Sequence, residues 1–167
     1  MRPKPESPQM SGPSNVTEVI AQANRTFFDY WEHLATAERP PLKSAINPAE
    51  ITKIIPKLVI YEREDPSFFR IRLMGTSTVG RIGVDLTGRN LLNFFPYAAK
   101  EEAQRDLNRI VDEPCGQFLV VKDRFTSGRE ALVQILRLPL TDETDETGET
   151  RYIIGCTEET QTTDYTG

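Results

Sequence analysis

Histidine occurs once in these 167 residues, as His33, and cysteine twice, as Cys115 and Cys156. With a single imidazole and no GxSxG stretch, the chain lacks the parts of a hydrolase triad. No CxxC pair is present, so neither a zinc ribbon nor a disulfide framework is expected, and both thiols should stay reduced and partly buried. No apolar run approaches the roughly 20 residues of a membrane-spanning helix. The opening MRPKPESPQMSGPSN has no apolar centre of the kind a secretory signal needs. A cytoplasmic protein without a membrane partner is the expectation. Clustered positive charge is missing too. The 20 Lys and Arg residues are scattered among 25 Asp and Glu, the net charge is −5, and a nucleic-acid partner is not expected.

Glycine is concentrated in GTSTVGRIG, residues 75–83, where Gly75 and Gly80 have the separation found in a phosphate-binding loop. Arg81 and Ile82 then stand where the lysine and the hydroxyl belong, and Ile82 cannot hold a metal. Gly75, Gly80 and Gly83 are also too widely spaced for a dinucleotide fingerprint. The acidic run 141–150 lacks calcium-loop spacing. Counted from Asp142, the glycine position falls on Thr147 and the closing glutamate position on Ile153, so the run reads as a solvated hairpin loop. Glu101 with Glu102, and Glu158 with Glu159, are chain neighbours whose carboxylates diverge and cannot flank one bond. Neither cysteine has an activating cation or base beside it. His33 sits late on a helix, where a surface role is expected. No catalytic residue and no metal set is assigned; the chain reads as a non-enzyme.

Residues 1–14 combine four prolines with no apolar periodicity and read as a disordered tail, with 161–167 as a flexible C-terminus and 15–160 as one domain. Val19, Ile20, Ala23, Phe27, Tyr30, Trp31 and Leu34 share one stripe at helical spacing. With Asn15 and Glu18 as a capping box, they predict an amphipathic helix over about 16–37. Asn47 followed by Pro48 and Glu50 starts a second helix, with Ile51, Ile54 and Ile55 inward and Pro56 as its end. KLVIYERE and FFRIRLM are strands joined by a short turn, hence antiparallel. The glycines beyond them punctuate short helical pieces: Thr76 caps a turn through Val79 and Ile82, and Gly83 ends it in a left-handed conformation. YAAKEEAQRDLNRIVDEP is a longer helix with Ala98, Ala103, Leu107, Ile110 and Val111 inward. GQFLVVKDRF, EALVQILRLPL and RYIIGCTE complete the chain as three consecutive strands.

Two strands, several short helices and three strands, together with FRIRLMGTSTVGRIGVDLTGRNL, resemble the PAS (Per-Arnt-Sim) domain family. The likeness is to a bacterial branch of stand-alone PAS-like proteins, with segments similar to FFDYWEHL, INPAEITKIIPKLVIYE, ILRLPL and YIIGCTE. It covers about residues 17–159, and DLTG after a strand and short helix is its most specific element. The resemblance implies an α+β fold: a five-stranded antiparallel sheet in the order 2-1-5-4-3, with short helices on one face and the N-terminal helix outside. It also implies a sensory or interaction module. The chain lacks a cysteine in a motif like NCRFLQ, which flavin photoreceptors of this fold use, and a histidine in the helical middle that would hold haem.

A curved sheet roofed by short helices leaves an apolar concavity, the usual kind of ligand site. Strand alternation nominates Phe69, Ile71, Leu73, Val79, Ile82, Gln134, Leu136, Leu138, Ile154 and Cys156 as its lining. Gln134 stands out as polar and in phase with leucines, so its amide needs a partner that a ligand could supply. Phe27, Tyr30, Trp31 and Leu34 are candidates for a homodimer interface. Two functions stay open at this point: a sensor of a small molecule whose identity the sequence does not give, and a protein-interaction and dimerisation module with a filled cavity. Either passes its output to a protein partner.

Overall fold

The computed structural model describes residues 9–11, 21–125, 127–143 and 149–160. Its strands are β1 (Gln9–Ser11), β2 (Leu58–Asp65), β3 (Phe68–Met74), β4 (Gln117–Arg124), β5 (Glu130–Thr141) and β6 (Thr150–Thr160). They form one sheet in the order β1-β4-β5-β6-β2-β3. Without β1 this is the expected five-stranded order, and all four of its pairings are antiparallel. The additional β1 runs parallel to the start of β4, with Gln9 opposite Gln117. Three residues expected in a tail thus occupy a sheet edge, where main-chain pairing makes no demand on apolar periodicity. The rest of 1–14, the Asn15–Glu18 capping box and 161–167 lie outside the described residues.

α1 (Gln22–Leu34) covers one face of the sheet because its stripe matches the sheet's apolar surface. Ala23, Phe27 and Trp31 pack with Leu58, Phe118, Leu136, Leu138, Leu140, Ile154 and Cys156. The Trp31 indole Nε1–H donates to the Pro139 carbonyl at 2.9 Å, so the one polar atom of that buried ring is satisfied. Helix geometry stops at Leu34, short of the expected 37. The following chain turns beside β5, where Thr141 N–H and Oγ1 donate to the carbonyls of Pro41 and Pro40.

After a 3₁₀ turn at Lys43–Ala45, the chain makes two more at Pro48–Glu50 and Ile55–Lys57 where a second helix is expected. Asn47 does cap the second, accepting from Ala49 N–H. Pro56 lies within the third turn rather than ending a helix, since an interior proline there forbids continuous α-hydrogen bonding. Ile51 and Ile54 are buried all the same.

The opposite face carries α2 (Thr76–Ile82), a 3₁₀ turn at Leu91–Phe94 and α3 (Tyr97–Asp112). Leu107, Ile110 and Val111 of α3 pack on Val59, Tyr61, Phe69, Ile71 and Ile153, while Ala98, expected inward, is exposed. The sheet therefore separates two apolar cores, each closed by helices from a different part of the chain.

Candidate functional site

The second core is incomplete. Between the sheet and the α2-to-turn segment lies a cavity of about 440 Å³, within the size range of small-molecule sites, about 300–1,000 Å³. Tyr61, Ile71, Ile135, Arg137 and Thr157 form its floor, and Thr78, Arg81, Ile82, Leu91 and Phe95 are among its walls and roof.

The roof owes its shape to local sequence. α2 starts at Gly75, without a side-chain cap, and Thr76 is its first helical residue rather than the expected cap. A Cβ at position 75 would stand 2.3 Å from the Pro56 carbonyl oxygen, so only glycine lets these two backbones meet. The Gly75 amide donates to Leu58 O at 2.8 Å, which places no free anion cradle there. Gly83 ends α2 at φ 89°, as the sequence predicts, and donates to Val79 O. DLTGRN then runs along the β3 edge: Gly88 N–H donates to Ile71 O and Ile71 N–H to Arg89 O. Asn90, buried, accepts from the amides of Phe69 and Leu92 and donates to Ser67 O.

Polar groups pin the middle of the roof to β6. Thr78 Oγ1 and Thr157 Oγ1 are 3.2 Å apart in a buried hydrogen bond, and Arg81 Nη2 donates to the same Thr157 oxygen at 3.2 Å. The Arg81 side chain is only 11% exposed. Its Nε is buried without a hydrogen-bond partner, and Asp123 stands 3.9 Å away, beyond hydrogen-bond reach. Burial pulls this guanidinium below the ordinary arginine value, with Asp123 and Glu159 acting in the opposite sense. On the floor, Arg137 is 5% exposed. Its Nη1 donates to Gln117 Oε1 at 3.0 Å, and Gln117 Nε2 donates in turn to Asp106 Oδ2 of α3 at 3.1 Å. The Arg137 Nε has no partner.

Of the residues the sequence nominates, Ile71 and Ile82 line this cavity, Phe69 is fully buried in the adjoining core, and Val79 is half-buried away from the lining. Leu73 is 41% exposed. The β2–β3 register shifts so that Ile60 pairs with Leu73 and Tyr61 with Ile71, and the extra residue, Arg72, turns Leu73 to the other face. Leu136, Leu138, Ile154 and Cys156 belong to the α1 core, and Gln134 lies in phase with them. Its Oε1 accepts from Ala21 N–H at 2.7 Å, so the chain itself supplies the amide's partner. The phase error has a physical cause: β5 and β6 are buried on both faces, so alternation yields two apolar faces and does not say which one meets the cavity. Arg137, charged between Leu136 and Leu138, is the sequence signal that marks the cavity face. Phe27 and Trp31 are spent on the α1 core, Leu34 is half-buried, and Tyr30 OH accepts from Asn47 N–H.

Other polar candidates have local roles. Asp142, read as part of a solvated acidic run, is buried and lies 3.6 Å from Arg151, while 144–148 fall outside the described residues. Glu158 pairs with Lys57 and Glu159 with Arg129, so the neighbouring carboxylates do diverge. His33 is exposed. Among the described residues no three His, Cys, Asp or Glu side chains come together as a metal set, and no helix is long and apolar enough to cross a membrane.

A family model described as "PAS domain" matches residues 19–157. No curated protein matches the chain. Among solved structures, a light-oxygen-voltage domain studied with a flavin analogue aligns at 16% identity and TM-score 0.51, over 71% of this chain and 89% of its own. An RNA-binding light-oxygen-voltage receptor aligns at 11% identity and TM-score 0.51, over 75% of this chain and 37% of its own. Identities this low speak to the fold alone.

Proposed function

Because this chain belongs to the PAS domain family, whose members are generally sensory modules that bind ligands or partners, we propose that it is a non-catalytic sensor binding a small molecule in the cavity between β5, β6 and α2. The carrying observation is the cavity itself: about 440 Å³ walled largely by apolar side chains, under a roof of one seven-residue helix and a 3₁₀ turn. Its size weighs against the alternative in which the core is filled and only interaction remains. A glycine at position 80 within so short a helix makes the roof weakly held, and elements that shift on binding come from the weakly held end. Occupancy biases the segment from Thr76 to Phe95.

The change then crosses the sheet along β5, where neighbours alternate between the two cores. Ile135 and Arg137 meet the cavity, while Gln134 holds the α1 start through Ala21. Output leaves through α1 to a protein partner or a second copy of the chain. The test is mass spectrometry of gently purified protein after denaturation, beside an Ile135→Trp variant that fills the cavity. A stoichiometric compound released from the wild type and absent from the variant supports the reading; none from either, after a metabolite screen, rejects it.

A further inference from the structure

The cavity's charge is opposite to that of the chain. Its lining includes Arg81, Arg124 and Arg137 against a single carboxylate, Asp123, in a protein whose net charge is −5. Arg124 is at the rim, with its side chain 74% exposed, but Arg137 is buried and the Arg81 side chain is only 11% exposed. A buried guanidinium is costly unless it is paired. Among the described residues no carboxylate pairs with Arg137. It meets only the neutral Gln117 carbonyl, which the Gln117–Asp106 hydrogen bond holds toward it, and its Nε remains open.

The two cations are also suitably placed for one ligand. Arg81 is fixed at Thr157, which pairs with Ile135, and Arg137 pairs with Gly155 two residues along β6. That separation is roughly 7 Å along the strand. Gly155, without a side chain of its own, leaves the strip between them to the Tyr61 ring, whose hydroxyl lies 3.6 Å from where a Cβ at 155 would stand. Around this polar end the lining is apolar, including Ile71, Leu91 and Phe95.

We propose, resting on the reading above, that the ligand is a small organic acid whose carboxylate or phosphate group sits between Arg137 and Arg81 and whose apolar body lies against Ile71, Leu91 and Phe95. An acid supplies what this lining lacks: acceptors for the open guanidinium N–H groups and countercharge for Arg137, beside an Arg81 whose Asp123 stands 3.9 Å away. A neutral molecule of the same shape leaves both unmet.

Two fluorescent probes of matched shape test this on the full chain: 1-anilinonaphthalene-8-sulfonate, which carries an acidic group, and N-phenyl-1-naphthylamine, which does not. The sulfonate should bind roughly tenfold or more tighter, as charge-assisted hydrogen bonds require. In Arg137→Met that preference should fall to about parity with the neutral probe unchanged, melting curves confirming that the variant folds. The wild-type comparison decides even if the variant does not fold. Equal affinities in the wild type, or a full preference surviving in both Arg137→Met and Arg81→Met, overturn the acid and leave the cavity reading intact. Binding of neither probe removes both.

Discussion

Thr157 gathers α2, β6 and the chain before β2 at one hydroxyl, which is 3.2 Å from both Thr78 Oγ1 and Arg81 Nη2 and faces Lys57 O. Single atoms decide as much at two glycines. Gly75→Ala drives a methyl into the Pro56 backbone and should cost about 3 kcal/mol in urea unfolding. Gly80→Ala meets nothing within 4 Å and should stabilise the fold by about 0.5–1 kcal/mol, as a helix interior gains from alanine. Sequence alone gave both residues the same role as helix punctuation, because close approach between distant backbones leaves no local trace. Gly83 was legible, since a chain end in the left-handed region has its own local signature. Cys156 illustrates burial: its thiol is pushed up to about 12, first by desolvation and then by Glu158. The unfolded thiol ionises near 9, so stability present below that pH falls as pH climbs towards 12. Between about pH 8 and 10.5, wild type should lose about 2 kcal/mol more than Cys156→Ala in urea titrations.

At the scale of elements, periodicity located α1 and α3 well because each buries one stripe, and the stripe is written locally. The segment 48–55, expected as one helix, is not one. Its cap and inward isoleucines were legible, but Pro48 and Pro56 fit two short 3₁₀ pieces better than one helix. β3 was found with one face wrong beyond its bulge, since an inserted residue is invisible until the partner strand is known. α1's attachment carries a prediction. Gln134→Leu removes the acceptor for Ala21 N–H while leaving the cavity side of β5 untouched. Ligand-probe affinity should stay within about twofold, whereas hydrogen exchange at the first turn of α1 should quicken; unchanged exchange would show that this bond does not hold the helix.

For the whole molecule, strand order and class were legible and the partition into two cores was not. Both faces of the central strands are apolar, so the choice of face depends on which helices arrive, a long-range fact. The site was therefore half readable: its roof segment and Ile71 and Ile82 were named, while Arg81, Arg137, Thr78 and Thr157 appeared only when distant segments met. The same partition has a practical consequence. The chain's only indole, Trp31, is 2% exposed and sits in the core on the far side of the sheet from the cavity. Its emission is thus an intrinsic reporter that a guest in the other compartment does not touch, so with a guest that does not absorb at the indole's emission wavelengths a spectral change upon loading would report motion relayed through the strands.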